Sequence, residues 1–197
     1  MSSFPSPLVS VIIPTYNRAS LITQAVDSVL AQSYRAVEII VVDDGSTDET
    51  EAVLARYGHS IRVICQPNRG RSQARNIGLQ AARGEFIAWR DSDNYWHPAK
   101  LAAQVDFLEH HPDTGLVFTR SEAVNLQGKV LAIQFPDVKL PPARDLTLAL
   151  LRRRLTVDIS TVLVRQAVLA HTDGFSASLW LSEDVDLLTR LSQVTHF

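Results

Sequence analysis

A chain of 197 residues, 46% apolar and 20% charged, is long enough to bury a sizeable core, and its composition is ordinary for a globular protein. The formal net charge of −2 gives no reason to expect a general nucleic-acid or membrane-surface binder. The single cysteine, Cys65, excludes an internal disulfide and, in its apolar run, reads as a small buried hydrophobe.

Residues 1–8 lack the basic region and apolar core of a signal peptide, and no apolar run approaches the ~18 residues of a membrane-spanning helix. The expectation is a single cytoplasmic domain over 1–197. Val9–Ile13 is a β-branched run that reads as a buried parallel strand, with Pro14, Thr15, Tyr16 and Asn17 as the loop at its carboxyl end. Ser20 is the expected N-cap of a helix through Leu30. Val37–Val42 is a second strand ending in Asp43 and Asp44. Ser46 and Glu49 have capping-box spacing for a helix to about Tyr57, with Gly58 as its stop. Ile61–Cys65 is a third strand, a helix runs from residue 72 or 73 to Ala82, and Glu85–Arg90 is a fourth strand.

This alternation implies right-handed crossovers: an α/β fold with a Rossmann-like, doubly wound, mostly parallel central sheet and helices on both faces. The second half is more mixed. A helix opens at Pro98 and reaches about His110. Strands are expected at Gly115–Thr119 and Thr156–Val164, a hairpin over Ala123–Ile133 turning at Gln127-Gly128, a proline-bearing loop over Phe135–Pro142, a helix capped by Asp145, and a last helix from Glu183. Arg152, Arg153 and Arg154 read as a solvated helix end.

The chemistry concentrates where Phe86–Trp89 runs through Arg90 into Asp91-Ser92-Asp93-Asn94. In an open α/β sheet, ligands bind outside the carboxyl ends of the strands. Two carboxylates spaced D-x-D at that edge are hard oxygen ligands suited to Mg²⁺ or Mn²⁺, which complete their shells with water and substrate phosphate. The plainer reading is a solvated Asp/Asn turn. Asp43 and Asp44 lie at the same edge, joined by Pro14–Asn17. Tyr16 can stack on a nucleobase and Asp44 can accept from a base N–H. Arg71 and Arg75, with Arg69, follow the third strand and suit a diphosphate at a helix N-terminus. No dinucleotide G-x-G-x-x-G follows a strand, and neither a P-loop nor a G-x-S-x-G elbow is present. The histidines show no metal-ligand spacing.

The segments V-S-V-I-I-P-T-Y-N-R (9–18), V-D-D-G-S-T-D-E-T (42–50), N-R-G-R-S-Q-A-R-N-I-G (68–78), G-E-F-I-A-W-R-D-S-D-N-Y-W (84–96), D-G-F (173–175) and S-E-D-V-D-L-L-T-R-L (182–191) stand in the order of one family. The chain resembles a family 2 glycosyltransferase of the A-type fold. The resemblance implies inverting transfer of a sugar from a nucleotide-diphosphate donor, a UDP-sugar by expectation, to a glycan or lipid-linked acceptor in polysaccharide or glycan biosynthesis. It implies a divalent cation, and neither a nucleic-acid partner nor a transmembrane segment, with peripheral association at the inner membrane face compatible. By position it assigns Thr15, Tyr16 and Asp44 to base and ribose, Asp91 and Asp93 to the D-x-D with Asp93 nearest the metal, and Asp184 to the general base with Glu183 beside it. For these last two, the alternative is a pair of helix-end acids favoured by the helix dipole.

Residues of about 8–96 form the expected nucleotide-sugar half and about 97–197 the acceptor-side half, which ends earlier than in most members. The family usually has D-x-D-D where Asn94 stands here, and an apolar residue where Arg90 stands. A charge at the inner end of a central strand needs a partner, for which Asp91, Asp93, Glu183 and the donor diphosphate are candidates. These departures keep a second reading open, a non-catalytic nucleotide-sugar-binding module. A nucleotidyltransferase on a similar fold would need a G-x-G-x-R loop that the first strand lacks.

Overall fold

The computed structural model describes residues 6–125, 130–134, 140–141 and 143–197. Strand β1 (Val9–Thr15) is buried along its whole length, and its side chains alternate between two cores. Val9, Val11 and Ile13 face one core and Ile12 the other, as the two-residue period of a strand requires. The same alternation divides Ile39 and Val41 from Ile40 and Val42 on β2 (Val37–Asp43), and Phe86 and Ala88 from Ile87 and Trp89 on β4 (Phe86–Trp89). Strands buried on both faces read as continuous apolar runs, which is why these three were visible in the sequence.

The first core is closed by α1 (Ile22–Leu30), by Leu54 of α2 (Thr50–Ala55) and by α4 (Lys100–His110). On the other face lie α3 (Arg71–Ala81), α5 (Ala143–Leu151), the short α6 (Gln166–Leu169) and α7 (Glu183–Leu191). The main sheet has the order β3-β2-β1-β4-β8-β5, with β3 (Arg62–Cys65), β5 (Leu116–Phe118) and β8 (Val162–Arg165). β3, β2, β1 and β4 are mutually parallel, whereas β8 runs antiparallel to both β4 and β5. A separate antiparallel pair joins β6 (Ser121–Val124) and β7 (Val130–Gln134), as the expected hairpin requires. Its turn at 127–128 lies outside the described residues, as does most of the expected loop at 135–142.

Several local expectations are corrected. Ser20 caps nothing: α1 begins after Leu21 without a side-chain cap. The Ser46/Glu49 box does not form either, because the Ser46 hydroxyl donates to Asp43 Oδ1 (2.6 Å) and accepts from Asn17 N (2.9 Å). Asp48 Oδ1 instead accepts from Thr50 N at 3.0 Å where α2 starts. Asp145 sits in the first turn of α5 rather than capping it. The strand expected over Thr156–Val164 is shorter and later, because a 3₁₀ turn at Ile159–Thr161, capped by Asp158, precedes β8. Cys65 is exposed, since β3 is an edge strand that leaves most of its side chains open.

Candidate functional site

A cavity of about 370 Å³ opens at the carboxyl ends of β1, β2 and β4. Its wall contains Pro14, Thr15, Tyr16 and Asn17 from the loop after β1, Asp44 from the turn after β2, Arg71 and Arg75 from α3, and Asp91, Ser92 and Asp93 after β4. Arg18 and Ala74, not singled out in the sequence, complete it. Asp43, Glu183 and Asp184 stand outside this wall. Asp43 turns into its own loop, where Oδ1 accepts from the Ser46 amide at 3.0 Å as well as its hydroxyl.

Asp44 is buried and its carboxylate is already occupied by neighbours. Oδ1 accepts from Gln66 Nε2 and from Arg69 N (2.8 Å), and Oδ2 from Gly70 N (2.8 Å). It therefore anchors the turn that leads into α3. Gly45 makes this possible: its φ is +79°, and a Cβ there would come within 2.8 Å of Asn68 N. Tyr16, by contrast, stands exposed at the mouth.

Arg75 does not have the environment expected of a free diphosphate ligand. It is buried, its Nη2 meets Asp91 Oδ1 at 2.7 Å, and its Nη1 meets Glu183 Oε1 at 2.8 Å. Burial lowers the pKa of the guanidinium, but Asp91 and then Glu183 outweigh that and raise it above its ordinary value. Arg71 reaches the same Glu183 carboxylate, Nε to Oε1 at 2.6 Å, and donates to the Trp180 carbonyl. The D-G-F turn backs Arg75: Phe175 packs edge-on against Trp89 at 5.2 Å, and its ring centroid lies 5.1 Å from the Arg75 guanidinium. Asn76 holds that turn by two hydrogen bonds to the Phe175 backbone.

Arg90 turns away from the cavity to the opposite face of the sheet. Among the described residues no carboxylate hydrogen-bonds to it, contrary to the partners expected. Its Nε donates to the Ala25 carbonyl of α1 at 3.0 Å, its Nη2 to the Asn94 carbonyl, and its guanidinium lies 5.5 Å from the Trp96 ring. Burial pushes its pKa down to about 9, against the pull of Asp91 and Asp93. Lys100 packs on the same ring at 4.1 Å and donates to Gln104 Oε1 at 2.6 Å. Burial first, and then the Arg90 charge, push Lys100 down to about 7, while Asp158 opposes.

The loop carrying Asp91 and Asp93 is pinned by a residue the sequence reading missed. Ser160 Oγ accepts from Asp91 N (3.1 Å) and from Asn94 Nδ2 (3.0 Å), and the Ser160 carbonyl accepts from Trp96 Nε1 (2.8 Å). The available signal was Asp158-Ile159-Ser160, a capping pattern ahead of a β-branched run. Asp158 accepts from Ser160 N at 2.8 Å, and its pKa is raised by burial and by the negative charges of Asp91 and Asp184. Asp184 is half-buried at the N-terminus of α7, with Oδ1 accepting from Val185 N at 2.8 Å. Ser182, just before that helix, is left-handed at φ 63°.

Among the described residues no group of three or more His, Cys, Asp or Glu side chains converges as a protein-only metal cage. Asp93 is exposed at the cavity, and among the described residues it has no hydrogen bond or ion pair. One unengaged carboxylate beside a second, Asp91, fits a cation that takes one or two protein oxygens and draws the rest from phosphate and water.

The family model described as Glycosyl transferase family 2 matches residues 10–155. An uncharacterized glycosyltransferase of Rickettsia prowazekii is 33% identical over 192 residues, which are 96% of this chain and 60% of that protein. The chain thus spans less than two thirds of that relative. The Escherichia coli enzyme WfaP, a UDP-Glc:α-D-GlcNAc-diphosphoundecaprenol β-1,3-glucosyltransferase, is 43% identical over 105 residues, or 52% of this chain and 41% of WfaP. Among solved structures, residues 1–349 of TarS of S. aureus in complex with UDP-GlcNAc superpose with a TM-score of 0.74 at 28% identity, covering 95% of this chain and 53% of that 1–349 chain.

Proposed function

This chain belongs to glycosyl transferase family 2, and we propose that it transfers a sugar from a nucleotide-diphosphate donor to an acceptor hydroxyl with inversion, assisted by a divalent cation. The observation that carries this reading is the convergence of Tyr16, Asp44, Asp91 and Asp93 on one cavity at one sheet edge. The Thr15–Tyr16 loop and Asp44 serve base and ribose, and Arg71 and the D-x-D edge face the diphosphate. The UDP-sugar named for WfaP and the UDP-GlcNAc bound to TarS support a uridine donor, and the WfaP acceptor supports a lipid-linked or glycan acceptor in polysaccharide assembly.

Asp184 is the proposed catalytic base. It takes the proton of the acceptor hydroxyl as that oxygen bonds to the anomeric carbon, while the bond to the diphosphate breaks on the opposite face and the nucleoside diphosphate leaves. When bound, Mg²⁺ or Mn²⁺ held by Asp93 with Asp91 would offset the charge of the leaving diphosphate. Glu183 and Arg75 act through position: they tie the start of α7 to Asp91 and so fix the distance between base and donor. The donor half and the acceptor-side half then contribute one carboxylate set each.

Calorimetric titration with UDP, with and without Mn²⁺, tests the donor site. Asp93→Ala is expected to abolish the Mn²⁺-dependent gain in affinity and keep the metal-free component. Unchanged Mn²⁺-dependent affinity would remove Asp93 from the metal site. Donor binding without turnover for any nucleotide sugar and acceptor would leave the binding-module reading instead.

A further inference from the structure

The sequence reading left the Arg152-Arg153-Arg154 run as a solvated helix end. In the structure it borders an exposed apolar surface. On α5, Leu146 and Leu150 point into the second core, while Leu148 and Leu151 on its other side are 48% and 58% exposed. Leu148 and Arg152 share that side at i,i+4 spacing. Across from the end of α5, Trp180 and Leu181 are 87% and 77% exposed. Arg153 Nη2 joins the two segments by donating to Ser182 Oγ at 2.9 Å.

Between Leu148 and Leu155 runs a groove of about 380 Å³ whose edge carries Arg152 and Arg154, with Asp145 as the one acid among the described residues that line it. Among the described residues neither Arg152 nor Arg154 has an ion-pair or hydrogen-bonding side-chain partner. An apolar tip of tryptophan and leucines flanked by unpaired arginines has the composition of an interfacial membrane contact. The apolar groups enter the headgroup boundary and the guanidiniums meet phosphate. We propose that this face, formed by the outer side of α5 and the segment 179–182, docks the protein on an anionic phospholipid bilayer. The charge complementarity favours lipid over a second copy of the chain, since the same arginines would face each other across a symmetric contact.

The surface adjoins the proposed site, because the Trp180 carbonyl accepts from Arg71 and residues 183–184 follow directly. Docking there would present the acceptor side of the cavity to molecules held in the bilayer. The proposal goes beyond the transfer reaction, and its failure is separable from failure of that reading by measuring UDP binding on the same samples.

The test is flotation of the 197-residue chain with vesicles of phosphatidylcholine alone or mixed with phosphatidylglycerol, together with tryptophan emission. Trp89 and Trp96 are buried, so Trp180 is the tryptophan that reports. Binding to the mixed vesicles, weakened by salt and accompanied by a blue shift that Trp180→Phe removes, is the expected result. Arg152→Glu with Arg154→Glu is expected to lower affinity for mixed vesicles by roughly 30-fold or more, from about fivefold per neutralised arginine. Trp180→Ser with Leu181→Ser is expected to leave the protein unbound to the mixed vesicles in flotation while UDP affinity stays unchanged. Three outcomes would overturn the proposal: no binding to mixed vesicles at low salt, parental binding by both double variants, or a dimer dispersed by Trp180→Ser with Leu181→Ser.

Discussion

Arg75 and Arg90 lie on the two sides of the same strand end, and both are enclosed, yet their surroundings are opposite. Arg75, on the cavity side, is clamped between two carboxylates that hold its charge. Arg90, on the α1 side, has two carbonyl oxygens and an aromatic ring but, among the described residues, no ion pair, and no hydrogen bond to its buried Nη1. The difference teaches that a buried cation can serve as a staple between catalytic elements or as a prop beneath a loop, and that its partners decide which. Removing a staple strands the charges it joined; removing a prop strands only dipoles.

The largest effect expected is on turnover. Asp184→Asn keeps the size of the side chain and removes its basic oxygen, so the rate should fall by about 10²–10⁴-fold while donor affinity holds. Steady-state rates beside UDP titration check this, and a parental rate would reduce Asp184 to a helix-end acid. Next comes Arg75→Met, which removes the cation between Asp91 and the buried Glu183 and leaves Glu183 with Arg71 alone. A loss of about 3–5 kcal/mol in urea unfolding is expected. Adding Glu183→Gln should return part of it, and an additive double variant would break the staple account.

Arg90→Met is expected to cost less, about 1–2 kcal/mol, because the lost hydrogen bonds to carbonyls are offset by removal of an unpaired buried charge. A loss as large as that of Arg75→Met would erase the contrast. The last effect is a slope rather than a single loss. Lys100 sits near 7 in the folded chain, whereas an unfolded lysine sits near 10.4. Between those values the unfolded chain binds a proton that the folded chain does not, so stability rises with pH. Below about 7 both states are protonated, and the penalty is fully present. Urea unfolding should therefore gain at most about 1.4 kcal/mol per pH unit between pH 7 and 9, and Lys100→Met should flatten that gain.

How far the sequence revealed this molecule depends on the range of the interaction involved. β1, β2 and β4 were legible because each is buried on both faces and reads as an unbroken apolar run. The residues converging at the cavity followed from strand ends, which is a local reading of a topological rule. What was not legible is what depends on partners far along the chain. The hydroxyl of Ser46 had a choice between capping α2 and bracing the loop after β1, and sequence spacing cannot rank those. Arg75 looked free because Glu183 lies 108 positions away. The insertion of β8 between β4 and β5 is likewise a pairing across the chain rather than a pattern within it.

The loops after β1 and β2 are laced to each other rather than merely adjacent. Asn17 Oδ1 accepts from Thr47 N at 2.7 Å, Ser46 Oγ accepts from Asn17 N, Thr50 Oγ1 accepts from Arg18 N, and Asp48 Oδ2 accepts from Ala19 N at 3.1 Å. The rim around Tyr16 is thus assembled before any ligand arrives, and binding there need not order a floppy segment. Nucleoside association should accordingly follow a single exponential whose rate climbs in proportion to concentration, without the plateau that a slow rearrangement imposes.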